Sequence, residues 1–477
     1  MASVLLVNPT IRLTAPPQAL PFGLATIAAV LRDAGHQVEV LDINGLRLGF
    51  DEVRRRLADR RYDIVAAGGL ITTYRYLKQF LAAVRQAQPR AMIVVGGGVC
   101  AEPEVVLDHM PADVCVLGEG ERTMAELAGQ AGPGFDPAAV PGLAWKEGGR
   151  IRLSAPRPLE KDLDRFPAPA YDLFPMEVYN TASVTSGAPT ELRVISSRGC
   201  PWNCTFCWHI FGQGMRLRAV EPLLEELDAI RRRYRVDSML FMDENFTANR
   251  PRLVELCEGL IRAGWDRTPW SCASRADTIN RELLALMRRA GCYRINFGVE
   301  SGCQRMLDSM NKRIAVERIE EAFALCRAGR IVPVGTLIFG MPGEDADSVR
   351  QTVAFCRKIG LQKRMFFATP YPGTELYRDE AILARILNKY GTKDRFFEVL
   401  DDATDFVVNL TDMPDDEMLR LKAWADARIC RHVPGLARFA WDNLRVRGLR
   451  FTAGRAIRAV KSRLAGPGKP RVPAGKA

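Results

Sequence analysis

The sequence predicts an α/β protein with two successive parallel sheets and a mainly helical C-terminal region. Short apolar, β-rich runs alternate with amphipathic helical patterns twice, over roughly residues 1–130 and again from about residue 191. Strand–helix alternation at this spacing is typical of parallel sheets. A stretch rich in proline and polar residues separates the two alternations, and 477 residues suffice for two domains plus an appendage.

The first alternation predicts a doubly wound, Rossmann-like sheet. Its expected strands are Ser3–Val7, Gln37–Leu41, Ile64–Ala67, Met92–Val95 and Val114–Val116. Ligands of such sheets bind at the carboxyl ends of the strands. Glycines and polar residues follow the later strands there: Thr72, Thr73, Gly97, Gly98, Gly118, Glu119, Gly120 and Glu121. No Gly-x-Gly-x-x-Gly follows the first strand, so a dinucleotide is not indicated.

The second alternation predicts a partial (βα)6 TIM barrel with its site at the strand carboxyl ends. Its expected strands are Leu192–Ser196, Ser238–Met242, Trp270–Ser274, Arg294–Val299, Val334–Phe339 and Met365–Thr369. The predicted organisation is therefore a Rossmann-like domain (1–135), a linker (136–190), a barrel (191–375), a helical region (376–460) and a disordered basic tail (461–477).

The charge of the chain is concentrated at its C-terminal end. The net charge is +11, and residues 431–477 hold twelve Lys/Arg and one acid, so the rest of the chain sums to zero. A neutral body does not favour a nucleic-acid partner. The basic segment is expected to be solvated, or to make weak contact with a membrane or another anionic partner. No basic leader or apolar run near 20 residues is present, which predicts a cytoplasmic protein.

Three of the twelve cysteines are clustered. The other nine lie singly among apolar residues and are expected to be buried small side chains. Cys200, Cys204 and Cys207 follow the first predicted barrel strand with the spacing C-x3-C-x2-C. Three thiolates at this spacing can hold three irons of a [4Fe–4S] cluster and leave the fourth iron open. Structural zinc needs four ligands, and no second suitable pair exists.

This segment, with Phe206 just before the last cysteine, resembles the signature of the radical S-adenosylmethionine (SAM) superfamily. The resemblance implies that the open iron chelates the amino and carboxylate groups of SAM. It also implies that the reduced cluster cleaves SAM to methionine and a 5′-deoxyadenosyl radical. Segments resembling the family's SAM contacts fall at successive strand ends and assign this role to Phe206, Asp243, Glu244, Arg275, Glu300 and Gly340.

The front part of the chain resembles the cobalamin-binding module of class B radical SAM methyltransferases. The similar segments are Pro16–Asp42, Val94–Glu104 and Leu117–Thr123. The resemblance implies that the strand-end residues of the first alternation contact cobalamin. The chain has no Asp-x-His-x-x-Gly motif to ligate cobalt. It also departs from a common Gly-Gly-Pro-His-like turn, because Gly96-Gly97-Gly98-Val99-Cys100 stands there.

The leading functional prediction is cobalamin-dependent methylation of an unactivated carbon of a small metabolite, in secondary or lipid metabolism. The expected partners are a small-molecule substrate and a low-potential electron donor of the flavodoxin or ferredoxin type. The main alternative is a cobalamin-independent dehydratase, epimerase or cyclase with a vestigial front domain. Cys303, Tyr293 or Tyr371 could then serve as base or hydrogen donor. A tRNA- or protein-modifying enzyme is disfavoured by the neutral body.

Overall fold

The computed structural model describes residues 1–11, 17, 19–132, 134–180 and 188–447. The chain forms two compact units. The first comprises Met1–Thr181, Trp208–Gly212 and Tyr371–Asp402; the second comprises Ala182–Cys207, Gln213–Pro370 and Ala403–Ala477. The predicted tail, 461–477, lies outside the described residues. No helix in the described part of the chain is long and apolar enough to cross a bilayer.

The strands and helices are numbered along the chain. The strands are β1 (Ser3–Asn8), β2 (Gln37–Asp42), β3 (Ile64–Gly68), β4 (Met92–Gly96), β5 (Val114–Val116), β6 (Leu143–Glu147), β7 (Arg150–Leu153), β8 (Leu192–Val194), β9 (Ser197–Arg198), β10 (Arg216–Leu217), β11 (Met239–Phe241), β12 (Trp270–Ser274), β13 (Cys292–Glu300), β14 (Val332–Phe339) and β15 (Phe366–Phe367). The helices are α1 (Phe22–Asp33), α2 (Ile43–Leu46), α3 (Phe50–Asp59), α4 (Tyr74–Ala87), α5 (Pro103–His109), α6 (Gly120–Gln130), α7 (Met176–Tyr179), α8 (Val220–Arg233), α9 (Arg250–Arg262), α10 (Arg281–Arg289), α11 (Gln304–Ser309), α12 (Val316–Ala328), α13 (Ala346–Ile359), α14 (Glu375–Arg378), α15 (Glu380–Tyr390), α16 (Lys393–Val399), α17 (Asp415–Cys430) and α18 (Val433–Arg447).

The sheet of the first unit has the strand order β2-β1-β3-β4-β5-β6-β7. β1 to β5 are parallel, whereas β6 and β7 add to the edge as an antiparallel hairpin. Helices α1 and α6 pack together over this sheet, burying Leu31 and Leu127 against strand residues such as Leu6. The strand order reverses between β1 and β3. Their carboxyl ends are therefore the topological switch point at which doubly wound sheets bind ligands.

The second unit contains a six-stranded parallel sheet in the order β15-β14-β13-β12-β11-β8. This curled sheet is a half-barrel. Burial alternates along β13 and β14, as expected of strands with one face toward the barrel interior and one toward the helices. Side-chain caps at Asn249, Asn280 and Asp345 begin α9, α10 and α13, and fix the strand-to-helix turns.

The predicted fold class is confirmed: a Rossmann-like sheet, a partial parallel barrel and a helical C-terminal part. Sequence reasoning missed the hairpin of β6 and β7, which lies in the stretch described as a linker. It also drew several barrel strands too long, because β8 ends at Val194 and β15 contains only Phe366 and Phe367. The domain boundaries remain a prediction.

Candidate active site

The three clustered cysteines lie in a loop that follows β9 in the second unit. Contacts from two other segments hold this loop. Gly199 N donates to Glu244 after β11, Asn311 Nδ2 donates to Asn203 O at 2.6 Å, and Thr205 N donates to Met310 O at 3.1 Å. The loop is thus anchored from the carboxyl end of β11 and from the residues that follow α11.

The environment of the thiols favours ionisation at one of them. Cys204 is buried, Cys200 is half-buried and Cys207 is exposed. A hydrogen bond with Cys207 lowers the pKa of the Cys204 thiol to about 7, and Lys312 and Arg275 act in the same direction. Burial raises the pKa of Cys200. Since the thiolate is the metal-binding form, the cationic surroundings of Cys204 suit an iron ligand.

The arrangement fits an iron–sulfur cluster better than a single ion. Among the described residues, no group of three His, Cys, Asp or Glu side chains converges on one metal position. A cubane cluster has no such requirement, because each thiolate binds a different iron. The C-x3-C-x2-C loop therefore matches the donor set of a [4Fe–4S] cluster.

Two of the predicted SAM residues support this loop. Asp243 is buried and accepts hydrogen bonds from Ser196 N at 2.7 Å, from Ser197 N at 3.2 Å and from the Ser196 hydroxyl. Glu244 accepts from Gly199 N, and burial raises the pKa of its carboxyl group. Both carboxylates fix the backbone that leads into Cys200. The SAM contacts predicted for them remain predictions.

A buried group of charges lies beside the loop. Arg275 lies over the Trp202 ring at 4.6 Å, binds Asp277, and donates to Lys312 O at 2.7 Å. Lys312 Nζ is 2.9 Å from Glu300 Oε1, and these two side chains are only 6% and 7% exposed. Burial alone lowers the pKa of Lys312, but Glu300 and Cys204 outweigh this effect and the pKa is raised.

The backbone around Glu300 is shaped for this ion pair. Glu300 has a φ of +60°, which is uncommon for a residue other than glycine. A side chain at Gly298 would collide with the ion pair, because a Cβ there would lie 2.7 Å from Lys312 Nζ and also overlap Glu300 Oε1. The end of β13 is thus built to hold two opposite charges in a buried position.

Three buried polar atoms close to the loop have no hydrogen-bond partner among the described residues: Thr205 Oγ1, Asn245 Nδ2 and Arg275 Nη1. Asn245 follows β11 and Arg275 follows β12, so two of them lie at barrel strand ends. Buried polar groups are nearly always paired in proteins. Unpaired donors beside a cationic pair match the carboxylate of a bound amino acid, so the residues present fit SAM.

Gly340, the remaining predicted SAM residue, lies at the carboxyl end of β14 with a φ of +90°. Its N–H donates to the buried carboxyl group of Glu344, and burial raises the pKa of this group to about 7.

Phe206 lies beside the buried charges, with its ring centroid 5.8 Å from Lys312 Nζ. The structure thus brings Phe206, Arg275 and Glu300 together around Lys312 and the cysteine loop.

The predicted cobalamin residues lie at the strand ends of the first unit. Thr72 Oγ1 is buried without a partner among the described residues, whereas Thr73 Oγ1 donates to Leu70 O at 2.7 Å. Gly97 and Gly118 have φ values of +79° and +72°. At Gly68 a Cβ would overlap Gly96 O, so the turns after β3 and β4 touch through backbone. The Thr72 hydroxyl offers an unused hydrogen-bonding group, and the glycines let a ligand approach the backbone closely. Both features fit a bulky ligand at the turns after these strands.

The first two strand ends are closed by their own hydrogen bonds. Asn8 Nδ2 donates to Asp42 Oδ1 at 2.7 Å, and the Tyr179 hydroxyl donates to Asp42 Oδ2 at 2.7 Å. Burial raises the pKa of Asp42. This network stabilises the ends of β1 and β2, and the predicted cobalamin residues lie after β3, β4 and β5.

Two family models match the chain: the radical SAM superfamily over residues 194–356, and the B12 binding domain over residues 9–128. An uncharacterized methyltransferase of Pyrococcus horikoshii, PH0819, is 31% identical over 385 residues, covering 78% of this chain and 82% of the relative. The chain belongs to the cobalamin-dependent radical SAM methyltransferases. The cofactors of this family are a [4Fe–4S] cluster, SAM and cobalamin.

Other relatives of this radical SAM methyltransferase also match most of its length. Cytidylyl-2-hydroxyethylphosphonate methyltransferase of Streptomyces wedmorensis is 27% identical over 436 residues, covering 79% of this chain and 81% of the relative. The solved structure of the methyltransferase TsrM from Kitasatospora setae, with tryptophan and a SAM analog, superposes with a TM-score of 0.66. It is 20% identical and covers 81% of this chain and 76% of TsrM, which shows a shared fold.

Sequence reasoning missed Lys312 and the amide of Asn245 as site residues. Lysines are seldom fully buried, so nothing in Asn311-Lys312-Arg313 marked the middle residue. The three hydrogen-donor candidates of the alternative hypothesis remain predictions. Cys303 precedes α11 and is buried, Tyr293 is buried in β13, and the Tyr371 hydroxyl donates to Asp401 O at 3.0 Å in the first unit.

Proposed function

We propose that this methyltransferase transfers a methyl group to an unactivated carbon of a small molecule by a radical route. The observation that carries the proposal is the buried Arg275, Lys312 and Glu300 group beside a three-cysteine loop, with unpaired donors at the strand ends. When bound at this loop, a reduced [4Fe–4S] cluster would supply the electron for reductive cleavage of SAM to methionine and a 5′-deoxyadenosyl radical, and cobalamin would supply the methyl group that is transferred.

In this proposal Cys200, Cys204 and Cys207 hold the cluster. Arg275 Nη1 and the Lys312 ammonium group bind the SAM carboxylate, because both are buried cations and the first has an unused N–H. Glu300 Oε1 is occupied by Lys312, while the contact of Oε2 among the described residues is a long one of 3.4 Å with Thr336 Oγ1. Oε2 therefore accepts from the ribose hydroxyl groups.

Cobalamin is assigned to the first unit, at the turns after β3, β4 and β5. The residues proposed to contact it are Thr72, Thr73, Gly97, Gly98, Gly118, Glu119, Gly120 and Glu121. No histidine of an Asp-x-His-x-x-Gly motif is available to ligate cobalt. The proposed partners are a small metabolite and a flavodoxin- or ferredoxin-type electron donor, and the neutral charge of residues 1–430 argues against nucleic acid.

The proposal is tested by anaerobic reconstitution with iron, sulfide and hydroxocobalamin, followed by analysis of bound cofactors and of the products formed from SAM once a low-potential chemical reductant is added. Formation of S-adenosylhomocysteine together with 5′-deoxyadenosine is expected. Formation of 5′-deoxyadenosine and methionine alone, by protein that retains no cobalamin, would contradict methyl transfer and support dehydration, epimerisation or ring closure.

The cluster assignment has its own matched pair of variants. Cys204→Ala should lose bound iron and all SAM cleavage. Cys430→Ala, which removes a half-buried cysteine of the same unit outside the motif, should keep both. Equal iron content in the two variants would refute the assignment of the ligands.

A further inference from the structure

The indole of Trp208 packs against two glycines of the first unit. A Cβ added at Gly98 would lie 2.6 Å from Trp208 Cζ3, and one added at Gly373 would overlap the pyrrole side of the indole. Real Cβ atoms do not approach other atoms so closely. The indole is thus seated between two backbone segments at positions where any other residue would displace it.

The turn that meets the indole is held by backbone bonds. Gly69 N donates to Gly96 O at 3.2 Å, and Val99 N donates to Gly69 O at 3.0 Å. Gly69 and Gly97 have φ values of +152° and +79°, which favour glycine. Backbone hydrogen bonds therefore join the turns after β3 and β4, and the indole of Trp208 covers the second turn at Gly98.

This contact explains the departure of the turn from the Gly-Gly-Pro-His-like pattern. A proline at position 98 has a Cβ and would meet the indole in the same way as alanine. Glycine at 98 and tryptophan at 208 are therefore sterically complementary, although 110 positions separate them in the sequence.

We propose that Trp208 is a positioning residue of the cobalamin site, which sets the conformation of the Gly97-Gly98 turn against which the corrin binds. The inference rests on the assignment of cobalamin to the turns after β3 and β4. Two buried polar atoms without partners among the described residues support a ligand site in this unit: Thr72 Oγ1 and Nε2 of His209, the residue next to Trp208. An indole that fixes the turn lowers the cost of ordering it when the ligand binds.

The test measures the affinity of the full-length, cluster-reconstituted protein for hydroxocobalamin by equilibrium dialysis and corrin absorption. Trp208→Ala and Gly98→Ala should each weaken binding about tenfold, whereas Trp208→Phe should stay within about threefold because a ring still covers the turn. The double variant Gly98→Ala/Trp208→Ala should bind no more weakly than Trp208→Ala, since the added methyl group then meets no indole. Trp145→Phe, a conservative change in β6, serves as the control and should bind as the wild type.

Each outcome bears on the inference. Wild-type affinity in Trp208→Ala, in protein with native iron content and thermal melting, would overturn it. Additive losses in the double variant would also overturn it, because they show that the two residues act independently. Failure of Trp208→Phe to preserve affinity would contradict the role of the ring. If the wild type itself retains no hydroxocobalamin, the assignment of the cobalamin site fails first.

Discussion

Replacing Lys312 with methionine removes one partner of a buried ion pair and keeps the volume of the side chain. Lys312 Nζ and Glu300 Oε1 are 2.9 Å apart, and the two side chains are 6% and 7% exposed. The carboxylate left behind has little access to water. Breaking a buried pair in this way costs about 3–5 kcal/mol, whereas replacing both charges together is often close to neutral. Lys312→Met should therefore be strongly destabilising, and Lys312→Met/Glu300→Gln should recover most of the loss.

Lys358 offers a matched control, because it pairs with Glu320 at 2.7 Å but the side chains are 64% and 38% exposed. Exposed pairs contribute about 0–1 kcal/mol. The assay is urea denaturation of the full chain for each variant, followed at the transition of the second unit. Equal urea midpoints for Lys312→Met and Lys358→Met would refute the claim that the buried Lys312–Glu300 pair contributes more to stability than an exposed pair.

Stability alone does not establish a role in binding SAM, so affinity for SAM is measured on the same proteins by calorimetry. The double variant should be folded yet bind SAM at least about tenfold more weakly than the wild type, because the SAM carboxylate has lost the Lys312 ammonium group as a partner. Lys312→Arg should retain most of the affinity. Full affinity in the double variant would leave Lys312 a purely structural residue.

Three further predictions concern the second unit. Burial raises the pKa of Glu344 from 4.5 to about 7, which corresponds to about 3 kcal/mol that the carboxylate form costs the native state. The native carboxyl keeps a proton that the unfolded chain releases, so stability falls as pH rises from about 4.5 to 7; Glu344→Gln should flatten that part of the melting profile, and an unchanged slope would contradict the shift. Asp243→Asn leaves one oxygen to accept from Ser196 and Ser197, so the free energy of unfolding should fall by about 1–3 kcal/mol. The variant should also lose iron to a chelator faster than the wild type. Iron retention equal to that of the wild type would show that the carboxylate does not support the cysteine loop. Residues 431–477 carry a net charge of +11, and Trp441 on α18 is 57% exposed. The protein should therefore sediment with anionic phosphatidylglycerol vesicles, and the Trp441→Ala variant should sediment with them less. Equal binding to neutral vesicles would exclude an electrostatic contact.

The fold could be predicted well from the sequence because both sheets are built from local patterns. The runs at Ile64–Gly68 and Met92–Gly96 are apolar and bounded by glycines, and each became a parallel strand. The hairpin of β6 and β7 escaped detection because three of the four residues of Arg150–Leu153 are exposed at a sheet edge. An edge strand buries little apolar surface, so its sequence differs little from that of a loop.

The cysteine loop and its neighbours at strand ends were likewise predicted, since the order of βα units brings the ends of parallel strands to one edge. Side-chain direction was not predictable. Asp243 and Glu244 are adjacent in the sequence and both were assigned to SAM, which remains a prediction. The structure adds that both accept hydrogen bonds from the backbone before Cys200. Whether a carboxylate faces a ligand or supports a loop depends on donors that come from another strand.

The residues that sequence reasoning missed depend on contacts between distant segments. Lys312 is buried because Glu300 has a left-handed φ and Gly298 leaves room for the pair, a combination that no local pattern records. Gly98 is explained in the same way by Trp208. In both cases a glycine makes space for a polar or aromatic side chain contributed by another part of the chain. A glycine at which the sequence departs from a family motif therefore indicates a compensating residue elsewhere in the chain. That residue is the one whose side chain occupies the space beside the glycine.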